Sequence, residues 1–397
     1  MSPRVALLAI ILTGCTRAAP EAALPEAPPP RPVADTAAAV AFLLKHQSPD
    51  GAWRSDVYAA FKDGSALTPL VLGALQDADA APVARAKALA FLDTFVKDGE
   101  VHEPAGGFDY PVYTAALALK ALCHADGAGR AAAKAAWVKY LVARQLTEAN
   151  GWAKTDPHYG GWGYSRGVPK KPAPGAFAPP LTESTLSATL FALDALTAAG
   201  ALTPDAARAA AQVLETWQNF IPPPPGGLPP GFVQGDGGFF FVLADPVRNK
   251  AGLYDVISPH PPAAAIPRQR FGSYGSATAD GLRALLLCRP APTVDRDVRT
   301  RLASDWLRAN FRADAHPGAY VPAMAPNRDA VYFYYAASVS KAYRAADLGV
   351  PAGLAEALAR KQRPDGSWAN AVELVRENDP LVATSQALSA LAALRGR

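Results

Sequence analysis

Two seven-residue stretches at opposite ends of the chain are nearly identical: Gln47-Ser-Pro-Asp-Gly-Ala-Trp53 and Gln362-Arg-Pro-Asp-Gly-Ser-Trp368. Looser copies lie between them: Gln145…Asn150-Gly-Trp152, Gly106-Gly-Phe-Asp109, Gly160-Gly-Trp-Gly-Tyr164 and Gln234-Gly-Asp-Gly-Gly-Phe239. A motif recurring every ~50–80 residues marks a repeat architecture with insertions rather than a string of unrelated domains. Pro-Asp-Gly is a turn, with glycine free to take positive φ. The Gln stands where a helix ends and carbonyls lack partners. It is expected to satisfy them while packing on the Trp, stapling one helical layer to the next.

The segments around these loops have helical periodicity. The first member of each pair is expected at Ala37–His46, Val83–Val96, Ala131–Arg144, Pro204–Phe220, Arg296–Asn310 and Pro351–Lys361. The second is expected at Leu67–Gln76, Val112–His124, Thr182–Ala199, Ser276–Leu287, Ala330–Ala346 and Leu381–Leu394. The second helices are the more apolar. The run from Leu186 to Leu196 is apolar or small nearly all round, as for a helix walled in by neighbours.

Gln-x-x-Asp-Gly-x-Trp repeats on paired helices resemble the squalene–hopene cyclase and prenyltransferase repeat superfamily. Gly160-Gly-Trp-Gly-Tyr-Ser165 and Phe271-Gly-Ser-Tyr-Gly-Ser-Ala-Thr278 add to the likeness. It spans about Ala34 to Leu394. It implies an all-α fold, an (α/α)6 toroid of six inner and six outer helices with long Gly/Pro-rich loops around a central cavity. Six pairs counted from periodicity agree with such a ring. The family's chemistry is not carried over. Its cyclases use an Asp-x-Asp-Asp acid cluster, which is missing; Asp77-Ala-Asp79 is the nearest match and reads as solvated loop. Its zinc enzymes need Asp-x-Cys, but Asp280-Gly-Leu282 has Leu in the Cys position. The six His show no i, i+4 pair. No cofactor and no metal are expected.

The N-terminus suggests an address. Val5–Leu12 is an apolar run too short to span a bilayer and suited to a signal-peptide core. Leu12-Thr13-Gly14-Cys15 follows and looks like a bacterial lipobox, which makes Cys15 the expected lipidation site. The expected organisation is residues 1–14 as a lipoprotein signal peptide, 15–33 as a Pro/Ala-rich linker and 34–397 as the repeat body. The expected location is the cell envelope, lipid-anchored and periplasm-facing. Thr16 after the Cys leans toward the outer membrane, by analogy with lipoprotein sorting. Cys123 and Cys288 sit in Ala/Leu-rich helices and read as small core residues. A formal charge of +4 with no long basic block argues against a nucleic-acid partner.

If the second helices line a cavity, their starts converge on its mouth. Polar residues gather there: Thr68, Asp109 with Tyr113, Glu183 with Ser184, Tyr274 with Ser276, Asp329 with Tyr332, and Asp379 with Thr384. Acids in a dry cavity would have raised pKa values and could donate protons. Asp329 and Asp379 read more simply as helix caps; Asp109 and Glu183 stay open between capping and chemistry. Two long loops, Glu148–Leu181 and Ile221–Arg270, carry many aromatics. Trp162 and Phe239 read as repeat core. Tyr164, Tyr254, Arg268 and Tyr274 read as ligand contacts, alongside Tyr113, Asp280, Tyr332 and Asp379.

The expected role is a membrane-tethered binding protein for an apolar or extended ligand, an isoprenoid lipid or a polypeptide. One alternative is an enzyme, cyclase-like or carbohydrate-active, with Glu183, Asp109 and Asp329 as the catalytic carboxylates. The other is a structural scaffold of an envelope assembly.

Overall fold

The computed structural model describes residues 32–125, 128–222, 235–243, 245–255, 269–288 and 294–396. The signal-like segment, Cys15 and most of the linker lie outside the described residues, as does Arg268. Mostly helical, the chain forms twelve α-helices among the described residues. These are α1 (Thr36–Lys45), α2 (Leu67–Asp77), α3 (Pro82–Asp93), α4 (Pro111–Cys123), α5 (Ala131–Val142), α6 (Leu186–Ala198), α7 (Pro204–Trp217), α8 (Gly275–Leu287), α9 (Val294–Asn310), α10 (Tyr332–Ala345), α11 (Leu354–Lys361) and α12 (Pro380–Leu394). Each corresponds to one expected segment. The only strands among the described residues are two short antiparallel hairpins, Val96–Lys97 with Glu100–Val101, and Leu253–Asp255 with Gln269–Phe271.

The even-numbered helices are the buried set. On α12, twelve of fifteen residues are buried, and on α8, ten of thirteen. Such helices have no solvent face, so their apolar residues run all round. They pack in a cycle: α2 on α4, α4 on α6, α6 on α8, α8 on α10, α10 on α12, and α12 back on α2. The odd-numbered helices pack on the outside of this cycle, α7 and α11 showing a strong apolar stripe and a polar opposite face.

The repeated loops hold this arrangement by a recurring set of hydrogen bonds, and here the structure corrects the sequence reading. The Gln does not cap its own helix. Gln47 Nε2 donates to Gly51 O within the loop and to Ala84 O of α3, both at 2.9 Å. Gln145 donates to Gly160 O at 2.8 Å and Ala206 O of α7 at 3.1 Å. Gln218 donates to Gly237 O and to Arg299 O of α9. Gln362 donates to Gly366 O and to Asp35 O, the cap of α1, at 2.8 Å. The Gln therefore ties one outer helix to the next, and the last copy ties the end of α11 to the start of α1.

The indole caps the helix instead. Trp53, Trp162 and Trp368 donate Nε1–H to Leu43, Leu141 and Leu358, late carbonyls of α1, α5 and α11. Trp162, and not Trp152, is the equivalent residue in the third repeat; Trp152 donates to Pro169 O in its own loop. A threonine on the following even helix completes each unit. Thr68, Thr189, Thr278 and Thr384 Oγ1 accept the backbone N–H of Trp53, Trp162, Phe239 and Trp368, each at 3.0 Å.

Candidate functional site

The first turns of α4, α6, α8, α10 and α12, with the loops that lead into them, line a cavity of about 370 Å³. That volume falls in the range of small-molecule sites, ~300–1,000 Å³. Eight aromatic rings line it: Phe61, Tyr110, Tyr113, Tyr164, Phe191, Phe241, Tyr274 and Tyr334. Many meet edge to face. Tyr110 lies 6.3 Å from Tyr164 at 89°, and Tyr113 lies 5.1 Å from Phe191 at 87°. These are the preferred geometries of aromatic pairs, so the rings form a braced wall. Tyr164 adds a 2.8 Å hydrogen bond to Ser187 on α6.

Two carboxyls are buried at this wall. Asp280, on the second turn of α8, accepts from Tyr334 OH at 2.6 Å and from Ser338 Oγ, both on α10. Burial pushes its pKa up, against the pull of Arg283, Ser338 and Tyr334. Glu377, in the loop before α12, accepts the N–H groups of Phe333 at 2.9 Å and Tyr334 at 2.7 Å. It thereby caps the start of α10, where donors lack partners. Burial pushes its pKa up to about 7 despite those donors. Three cationic side chains also line the cavity: Arg248, Lys250 and Arg376.

At the far ends of the same helices the interior is charged. Lys120 of α4 bonds Asp194 of α6 at 2.5 Å, and Arg283 of α8 reaches the same carboxylate at 3.3 Å. Lys341 of α10 bonds Asp77 of α2 at 3.0 Å. Burial would raise Asp194, but Lys120 and Arg283 outweigh it and hold the carboxyl at about 2. These side chains surround a small void of about 70 Å³. Asp77 is thus an internal ion-pair partner and not the solvated loop residue its sequence context suggests.

Of the sequence candidates, Tyr113, Tyr164, Tyr274 and Asp280 line the aromatic cavity. Glu183, Asp109 and Asp329 are not among its lining residues, and each is engaged by an arginine: Arg248, Arg166 and Arg328 respectively. Each is thus charge-paired, and none lines the aromatic cavity. Asp329 also accepts from His316 N, and its pKa is lowered: burial would raise it, but the bonds from Arg328 and His316 outweigh that. Asp379 caps α12 through Leu381 N–H and is bonded by Ser55. Tyr332 OH donates to Ala313 O. Tyr254 pairs through its backbone with Arg270. Trp162 and Phe239 are fully buried.

The sequence reading missed Phe61, Tyr110, Phe191, Phe241, Tyr334, Arg248, Lys250, Arg376 and Glu377. Tyr334 carried a signal, standing in the aromatic run Tyr332-Phe-Tyr-Tyr335 at a helix start. Arg376 and Glu377 carried none; they sit in a charged loop like any solvated one. No cluster of three or more His, Cys, Asp or Glu suited to a metal occurs among the described residues. No described helix is long and apolar enough to cross a membrane.

No protein-family model matches the chain, and no curated protein matches it. Solved structures do. A variant of the type II terpene cyclase MstE from Scytonema, in complex with geranylgeranyl dihydroxybenzoate as substrate, is 14% identical, with a TM-score of 0.53; the match covers 91% of this chain and 96% of that one. A second MstE variant, bound to the product merosterolic acid A, is 15% identical with a TM-score of 0.51, covering 90% and 96%. At such identities the likeness shows the fold alone: a terpenoid cyclase-like helical fold, as the repeat motifs implied.

Proposed function

We propose that this chain is an (α/α)6 toroid of the cell envelope, tethered through a lipidated Cys15, whose aromatic cavity binds an apolar small molecule of isoprenoid type without converting it. The observation that carries this is the cavity wall: eight aromatic rings at the starts of the inner helices, enclosing a ligand-sized volume. The cyclic packing of α2, α4, α6, α8, α10 and α12 supports the toroid. A terpene cyclase of like fold holds a prenylated substrate, which supports the ligand class. The arginine pairing of Glu183, Asp109 and Asp329 speaks against the carbohydrate-active alternative. The open cavity speaks against a purely structural scaffold. The lipobox-like Leu12-Thr13-Gly14-Cys15 supports a periplasm-facing anchor, and Thr16 leans toward the outer membrane.

Organic extraction of the natively purified full chain tests this. Mass spectrometry is expected to find a prenyl-chain lipid in near-stoichiometric amount, and Cys15→Ser to move the protein from the membrane fraction to the soluble one. An empty protein that takes up no envelope lipid would overturn the binding proposal.

Asp280 favours a second reading, a divergent cyclase. A buried carboxyl whose pKa is raised and which lines an aromatic cavity is a positioned proton donor. On that reading a linear isoprenoid alcohol incubated with the protein yields a cyclic isomer, and Asp280→Asn abolishes it. Unchanged starting material with the unsubstituted protein leaves binding as the function.

A further inference from the structure

The cavity is apolar in its walls but not in its charge. Arg248 is neutralised, bonded by Asp245 at 2.5 Å and by Glu183. Lys250 and Arg376 are not. Among the described residues neither side chain makes an ion pair or a hydrogen bond. Arg376 lies with its guanidinium over three rings, 5.4 Å from Tyr58, 5.2 Å from Phe61 and 5.0 Å from Tyr110. Its Nη1 is shut off from solvent with no acceptor, and an unmet buried cationic donor is costly. The backbone at Arg376 is left-handed, φ +68°, a conformation non-glycine residues rarely hold. A strained backbone thus keeps an unanswered guanidinium at an aromatic wall.

The carboxyls of the same cavity do not supply the missing charge. Glu377 is committed to the N–H groups of Phe333 and Tyr334, with Asn370 Nδ2 at 3.3 Å. Asp280 is committed to Tyr334, Ser338 and Arg283, the last at 3.8 Å. Among the described residues Arg376 and Lys250 therefore stand without a paired carboxylate, on two loops that approach the cavity from different repeats.

Resting on the binding reading above, we propose that the occupant is an amphipathic anion: an apolar tail against the rings of Tyr113, Phe191 and Tyr334, and a carboxylate or phosphate head on Arg376 and Lys250. Guanidinium groups pair with either head through charge-assisted hydrogen bonds. The apolar tail explains the rings, and the anionic head explains the two cations.

Calorimetric titration of the delipidated full chain with three probes of one tail length tests this: farnesyl phosphate, farnesoic acid and farnesol. At least one anion is expected to bind tenfold or more tightly than the alcohol, with the advantage shrinking as salt is raised. A preference for the phosphate assigns a phosphorylated lipid, and a preference for the acid assigns a carboxylic one. Arg376→Gln is expected to cut the anion-over-alcohol ratio at least tenfold. Lys250→Gln, on the other loop, is expected to cut it too and serves if the first variant does not fold. Farnesol binding as well as both anions would overturn the head-group assignment and leave the apolar cavity standing. Arg376→Gln and Lys250→Gln both folding with the full preference intact would also overturn it. No binding of any probe would remove the binding reading itself.

Discussion

Gly160→Ala is expected to destabilise the protein by at least about 3 kcal/mol, seen as a large fall in the urea midpoint. Two costs add. The residue sits at φ +88°, where an L side chain is strained by ~1–3 kcal/mol. Its new Cβ would also lie 2.0 Å from Ala209 O in the middle of α7. That oxygen belongs to a helix backbone and cannot swing aside, so the loop or the helix must move. Movement would disturb the bonds made there by Gln145 Nε2 to Gly160 O and Ala206 O. Gly167→Ala in the same loop meets nothing within 4 Å and is the control; a surface change of that kind is worth no more than ~0.5 kcal/mol. A Gly160→Ala protein as stable as the control would show that the outer helices are not held by these loops.

Glu377 by itself is expected to contribute a loss of about 3 kcal/mol of stability as pH rises from about 4.5 to 7. Its ordinary pKa of 4.5 applies to the unfolded chain, and in the fold it is about 7. Between those values the native state holds a proton that the unfolded chain has released. Raising pH there therefore favours unfolding, by ~1.4 kcal/mol per unit, and the effect is complete above the native value. Asp280, also raised by burial, acts with the same sign. Asp194 acts oppositely, but only where the pH approaches its depressed value of about 2. His316, lowered by burial from 6.5 to about 4, acts oppositely over much of the same window. The Glu377 contribution is therefore read as a difference: urea unfolding at pH 5 and pH 7 is compared between the unsubstituted protein and Glu377→Gln, which is expected to shift the slope toward greater stability at pH 7. An unchanged slope in that variant would mean that Glu377 is ionised in the native protein at pH 5.

The architecture was legible because its signals are local and repeated. Each helix carries its own apolar period, and each loop carries its own turn residues. The Gln and Trp of the motif were recognisable as linking groups, but their partners were not, because the partner carbonyls of Ala84, Ala206 and Arg299 lie on the next outer helix, tens of residues away. The same distance hid the site. Tyr164 stood out in an aromatic loop, and Tyr113 and Tyr274 could be placed at helix starts by counting. Arg376 and Glu377 could not, since nothing in Leu374-Val-Arg-Glu-Asn378 distinguishes a buried loop from an exposed one. Asp109, Glu183 and Asp329 stood out as lone acids in the sequence. In the fold each has an arginine, and for Asp109 and Glu183 that arginine comes from a distant stretch.

The ion pairs at the far ends of the inner helices stop the central space on that side. Lys120, Asp194, Arg283, Asp77 and Lys341 line only a small void there, and an oily molecule could not cross that layer without stripping several charges of their partners. On the binding reading, a ligand that does not cross this layer leaves the way it came, tail first in and head first out, so loading and unloading cannot overlap.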